Sequence, residues 1–229
     1  MAAGGHVNAV SILRVPALLS GLLLPLQVCA FVYSADSIEG SVVDADTDKP
    51  IEGVIVVAHW ELRGGLEGGT PIGQVQIVET TTDGAGRYFI PSWGPRVALL
   101  GQMRNSSPGI FLFHRGYRYR ELDNAFYVDR DMRKSDWNKK AIPLTKAAGS
   151  LLEQSRELQR LSDRLWLVGR NSGEPCGWQA FPRMLLALAS IDTQLQGSGA
   201  PLTVHARLKH DQENLTSKGC GLVDEVVRP

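Results

Sequence analysis

Three hydrophobic patterns follow one another along this chain. An apolar stretch at residues 18–26 shows no amphipathic period. Between residues 37 and 128, short runs rich in β-branched and aromatic residues alternate with Gly, Pro and Asp. From Leu151 onward, apolar positions recur at steps of three and four. The second pattern has the period of half-buried strands and the third that of amphipathic helices.

The strand pattern is clearest at residues 37–44 (SIEGSVVD) and 53–62 (GVIVVAHWEL). In the first, Ile38, Gly40 and Val42 share one face; in the second, Val54, Val56, Ala58 and Trp60 alternate with Ile55, Val57 and His59. The intervening ADTDKPIEG reads as a turn, and RGGLEGGTPIG, residues 63–73 with five glycines, as a flexible loop. Residues 74–82 predict a third strand, Asp83-Gly84-Ala85-Gly86 a tight turn, residues 87–91 and 110–114 two more strands, and residues 125–128 a weaker one. Such an order, with no helical period between the strands, points to an antiparallel sandwich.

The helical pattern opens at Ser150, an N-cap candidate, and places Leu151, Leu152, Leu158, Leu161, Leu165 and Trp166 on one side. A second helix follows Gly177, with Pro182 in its first turn and Phe181, Met184, Leu185, Leu188, Ile191 and Leu195 on one stripe. Both stripes need burial, against each other or against the sandwich. Residues 202–208 are a candidate extra strand.

The segments EGSVVDADTDKPIEGVIVVAHW, VETTTDGAGRYFIPSW and PGIFLFHRGYR stand in the order of a glycine-led strand, a proline-containing turn, an Asp-Gly hairpin and a late strand ending in Gly-Tyr. In this the chain resembles the carboxypeptidase regulatory-like domain. The resemblance covers about residues 36–120 and implies a transthyretin-type, seven-stranded antiparallel Greek-key β-sandwich. We expect this domain to span residues 36–145, with the C-terminal helical hairpin read from the apolar period following within residues 150–229. The later pieces resemble the tails of uncharacterised exported bacterial proteins that carry this domain. The resemblance is to an accessory domain and implies no catalytic zinc.

Composition adds little beyond an ordinary core: 43% of the 229 residues are hydrophobic and 21% charged. Lys plus Arg and Asp plus Glu both number 24, and this neutral balance argues against nucleic acid as a partner. The early apolar stretch changes more. Arg14 precedes it, and Val28-Cys29-Ala30 fits the small-x-small pattern read by signal peptidase. Residues 1–30 are therefore expected to be a signal peptide cut after Ala30, with Ser34 as a second position. The alternative is an uncleaved anchor, against which Pro16, Gly21, Pro25 and Gln27 speak. Lipidation of Cys29 is disfavoured by bulky Val28. Each reading places the body outside the cytoplasm, periplasmic or secreted, and touching a membrane only through its N-terminus. Loss of Cys29 with the leader would leave Cys176 and Cys220, for which one disulfide is expected; two buried free thiols are the alternative, and a zinc site has no supporting spacing.

Candidate chemistry is sparse. Asp44-x-Asp46-x-Asp48 imitates the start of a calcium loop, but Lys49 and Ile55 stand where Gly and Glu are required, leaving an acidic turn. His59 and His114 fall on predicted strands, His205 and His210 lie five apart, and none has the partners of an intradiol dioxygenase iron site or of a hydroxyisourate hydrolase. No GxSxG, HExxH or paired-carboxylate site is present. We therefore expect no catalytic residue and no cofactor. Residues 114–140 combine aromatics with eight basic and five acidic side chains, and Tyr117, Tyr119 and Trp137 are the candidate binding surface, with the 63–73 loop as another. The expected function is a non-catalytic exported module binding an envelope protein or glycan; a structural spacer and an unrecognised hydrolase are the alternatives.

Overall fold

The computed structural model describes residues 31–65, 69–125, 132–170 and 177–195. The expected leader with Ala30, the pair Cys176 and Cys220, His205, His210, and the candidate strands at 125–128 (all but Ala125) and 202–208 lie outside the described residues.

The fold is mainly β, with two helices on the C-terminal side. The strands are β1 (Phe31–Ala35), β2 (Ile38–Asp44), β3 (Ile55–Gly64), β4 (Thr70–Thr81), β5 (Arg87–Ile90), β6 (Trp93–Ala98), β7 (Gln102–Met103), β8 (Gly109–Phe113), β9 (Arg120–Leu122), β10 (Met132–Arg133) and β11 (Lys140–Leu144). Helices α1 (Leu151–Arg170) and α2 (Pro182–Leu195) follow, with a 3-10 turn at Gly177–Ala180 between them. One sheet has the order β4-β3-β8-β9 with β7 beside β3; two three-stranded sheets run β10-β1-β6 and β11-β2-β5. The eleven strands so described exceed the seven expected: β7, β9 and β10 are too short to leave a period in the sequence, and β1, β6 and β11 are not among the strands expected from it. Two pairings, β1 with β10 and β2 with β11, are parallel where antiparallel pairing was expected. Parallel neighbours need a long crossover, and the rest of the sandwich serves as one.

Alternation decides which residue meets which layer. Val56, Ala58 and Trp60 of β3, with Ile110 and Leu112 of β8, face the two smaller sheets and pack with Tyr33, Ile38, Val42, Tyr88, Ile90 and Ile142. Trp60 is wholly buried and meets Trp93 edge to face, with centroids 5.2 Å apart. Val57, Phe111 and Phe113 face the other way and pack with Leu161, Leu165, Phe181, Met184, Leu185 and Leu188 of the helical segment. Because β3 and β8 are covered on both faces, they read as continuous apolar runs.

Both helix ends are held by named bonds. At α1, Ser150 N–H donates to Glu153 Oε2 (2.8 Å) and Glu153 N–H to Ser150 Oγ (3.3 Å), a capping box. At α2 the cap comes from β4: Arg183 and Met184 N–H donate to the Glu79 carboxylate at 3.0 and 2.8 Å. The expected stripes hold at Leu161, Leu165, Phe181, Met184, Leu185, Leu188 and Leu195, all buried, whereas Leu152 is exposed.

Two further expectations are corrected. Part of the 63–73 segment is strand: Arg63 and Gly64 end β3 and pair with Pro71 and Thr70, which begin β4, with bulges in the pairing. β6 and β11, which escape sequence reading, contain Pro95 and Pro143; each is an edge strand, where a missing N–H is tolerated.

Candidate functional site: a cleft between the sandwich and the helices

A cleft of about 220 Å³ opens where β8 leaves the sheet and both helices pass by. Its floor is apolar, formed by Phe113, Leu158, Ile191 and Leu195; its rim carries Arg115, Arg118, Tyr117, Tyr119, Gln154, Glu157 and Gln194.

The rim is built by a tight turn. Tyr117 N–H donates to His114 O (3.1 Å), and Gly116 at the bend has φ +87°, the left-handed region open to glycine. The turn is stitched to the strand leading to α1: Arg118 N–H donates to Thr145 O and Ala147 N–H to Gly116 O, both at 2.8 Å. Tyr117 joins the inter-sheet core and Tyr119 the helix-facing one.

Tyr117 is also fixed at its far end, where its hydroxyl donates to Asp44 Oδ2 (2.9 Å). The Asp44 side of the expected acidic turn is not solvated: the residue is 4% exposed. Its Oδ1 accepts from Asp46 N, Thr47 N and Thr47 Oγ1, each at 3.0 Å, and Lys146 Nζ lies 3.4 Å from Oδ2. The Tyr117 hydroxyl bond, with the turn donors and Lys146, holds the Asp44 carboxyl down at about 2, against the opposing effect of burial. This carboxylate organises a turn.

The rim cations differ in their company. Arg118 makes two bonds to the Glu157 carboxylate, one of them Nε to Oε2 at 3.2 Å. Arg115 donates to the neutral side-chain amide of Gln194. Trp137 is elsewhere: its Nε1 donates to Asp123 O (3.0 Å), and its ring lies beneath Arg120 and Lys140 at 5.9 and 5.3 Å. The three aromatics therefore do not make one surface; Tyr117 and Tyr119 line the cleft and Trp137 does not. The helical contributors Glu157, Leu158, Ile191 and Gln194 were invisible as site residues, since each looks like an ordinary helix position until the sandwich is placed beside it.

Neither of the two described histidines lines the cleft. His59 is buried, stacks on Phe111 with centroids 5.4 Å apart, and bonds through Nδ1 to Gln74 Oε1 (3.1 Å), which makes Nδ1 the protonated nitrogen. Burial lowers its pKa and keeps the ring neutral, with the Gln74 bond opposing. Its cross-strand neighbour is Gly109, where a Cβ would lie 2.5 Å from Nε2. His114 stands edge-on to Tyr117 at 5.4 Å. Among the described residues no group of three His, Cys, Asp or Glu side chains could hold a metal ion, and no helix is long and apolar enough to cross a membrane. A second, more open groove of about 640 Å³ runs past Glu39, Thr80, Phe89 and Lys140 and is lined mainly by polar and charged residues.

No family model matches this sequence, and no curated protein matches it significantly. Solved structures with some likeness include a streptococcal ancillary pilin (14% identity, TM-score 0.29, covering 50% of this chain and 30% of the pilin). The C-terminal domain of the shaft pilin SpaA from Lactobacillus rhamnosus GG is similar at 11% identity and a TM-score of 0.28, over 51% of this chain and 98% of that domain. The 3-chlorocatechol 1,2-dioxygenase from Rhodococcus opacus 1CP gives 13% identity and a TM-score of 0.30, over 50% of this chain and 60% of the enzyme. At these scores nothing about activity or partners carries over to this chain.

Proposed function

We propose that this chain is a non-catalytic exported binding module of the carboxypeptidase regulatory-like type, and that it holds an envelope partner in the cleft between sandwich and helices. The observation that carries the reading is the cleft itself: an apolar floor with two arginines, two tyrosines and two glutamines around its rim. Such a mixture is how a ligand site gains contact area from its floor and orientation from a few polar groups. The site rests on a sheet covered on both faces, which is the rigid support that recognition needs. Export is supported by the apolar stretch ahead of Val28-Cys29-Ala30. The two candidate cuts differ in consequence. A cut after Ser34 would remove most of β1, including buried Tyr33, whose hydroxyl accepts from Met103 N–H (3.0 Å); a cut after Ala30 leaves β1 whole.

Capture of an envelope partner by the purified protein, with saturable one-to-one stoichiometry, tests the reading. Tyr119→Ala should weaken capture and Trp137→Ala should leave it unchanged, with thermal unfolding of each variant recorded alongside. Equal effects of the two substitutions would remove the cleft from the reading. Unchanged capture in both would favour a structural spacer, and catalytic turnover of a partner would end the non-catalytic proposal.

A further inference from the structure

The chemistry of the rim narrows what the cleft can hold. Arg115 is exposed, donates to a neutral amide, and among the described residues has no carboxylate within ion-pair distance. Arg118 is already matched by Glu157. Among the described residues the mouth thus keeps one positive charge in excess, beside the apolar floor of Phe113, Leu158 and Ile191. The two glutamines add a second kind of complementarity. Gln194 spends its oxygen on Arg115, which leaves its NH2 group to donate; Gln154 spends its Nε2 on Gly149 O (3.1 Å), which leaves its oxygen to accept. One donor and one acceptor at a rim match the C=O and N–H of a single peptide group.

Building on the cleft reading, we propose that the occupant is the carboxy-terminal residue of a partner polypeptide. Its free carboxylate meets Arg115, its apolar side chain enters between Phe113, Leu158 and Ile191, and its last peptide group lies between Gln154 and Gln194. A guanidinium gives a carboxylate a charged, two-pronged partner. The volume of about 220 Å³ suits an apolar side chain with room to spare, since a cavity of roughly 150 Å³ accommodates benzene.

The test is calorimetric titration of the purified full chain with acetyl-Gly-Ala-Leu as the free acid, the same peptide as its C-terminal amide, acetyl-Gly-Ala-Asp, and 3-methylbutanoate. The free acid ending in Leu should bind roughly tenfold or more tightly than the amide, the range expected for a hydrogen bond to a charged group. That gap should close in Arg115→Gln, whose exposed position spares the fold, and should narrow with added salt. The peptide ending in Asp should bind more weakly than the one ending in Leu. Equal affinity for acid and amide would overturn the proposal, as would binding of 3-methylbutanoate as tightly as the peptide, which would assign the cleft to small acids. Absence of binding at millimolar peptide would also overturn it. Should that happen while Tyr119→Ala still selectively impairs partner capture, the cleft reading survives and only the carboxy-terminal ligand is lost. Should the Tyr119 and Trp137 variants behave alike, the cleft reading itself falls.

Discussion

Strand β3 divides its residues between two unlike neighbourhoods. Val56, Ala58 and Trp60 meet other strands, in a core closed by residues that alternate with solvent-facing neighbours. Val57 and, one step on, His59 lie on the opposite face, which the helices cover. The strand-facing core is apolar at its centre and meets the buried Asp44 carboxylate at its margin through Tyr117; among the described residues, Trp60 Nε1 and the Tyr88 hydroxyl have no hydrogen-bond partner. The helix-facing layer includes a buried imidazole and has the Glu79 carboxylate at its margin. Helices are cylinders laid on a twisted sheet, so the layer they form parts where the sheet ends, and the cleft occupies that parting. The first layer specifies the sandwich, and the second leaves a place for recognition that disturbs little of the fold.

The largest expected effect compares the layers directly. Trp60→Ala, in the strand-facing core, should cost about 3–5 kcal/mol, and Leu161→Ala, in the helix-facing one, about 2–5 kcal/mol. Urea unfolding followed by tryptophan fluorescence and by far-ultraviolet circular dichroism checks both. If the helices are a layer of one cooperative unit, the two probes should coincide in each variant. A separate early helical transition in Leu161→Ala would show that the layers unfold independently.

A smaller effect sharpens the comparison at α2. Burial raises the Glu79 pKa, while the Met184 and Arg183 N–H groups pull it the other way. Glu79→Ala removes the remote cap and should cost about 1–2 kcal/mol. Protection of the α2 amides in hydrogen exchange should fall more than that of the α1 amides. Equal losses would mean that α2 is held by its apolar stripe alone.

The smallest effect separates the layers by pH. His59 is held neutral by burial, so its folded pKa lies below the unfolded value of 6.5. The unfolded chain then binds the extra proton, and stability should be complete above that pH and fall below it, by no more than about 1.4 kcal/mol per pH unit for one group. Asp44, at about 2 in the folded protein against 3.8 unfolded, contributes stability that is complete above 3.8 and lost as pH falls toward 2. Acidification should therefore weaken the histidine-bearing layer first and the Asp44 turn only in stronger acid. His59→Gln should flatten the decline just below pH 6.5, and Asp44→Asn the decline below 3.8. A profile unchanged in the His59→Gln variant would remove the first step.

The division of residues 54–60 between two faces was legible because a strand's side chains alternate whatever the strand packs against. The α1 cap was partly legible for a similar reason: Ser150, which sequence marks as its N-cap candidate, meets Glu153 only three residues on. Both properties are local, so the sequence alone determined them. Which layer covers each face, the supply of the α2 cap by Glu79 from 104 residues away, the parallel pairing of β2 with β11, and the parting of Tyr119 from Trp137 were decided by tertiary structure. Local period reports that a side chain must be buried but carries no record of its partner, because the partner is fixed only when distant segments close on one another.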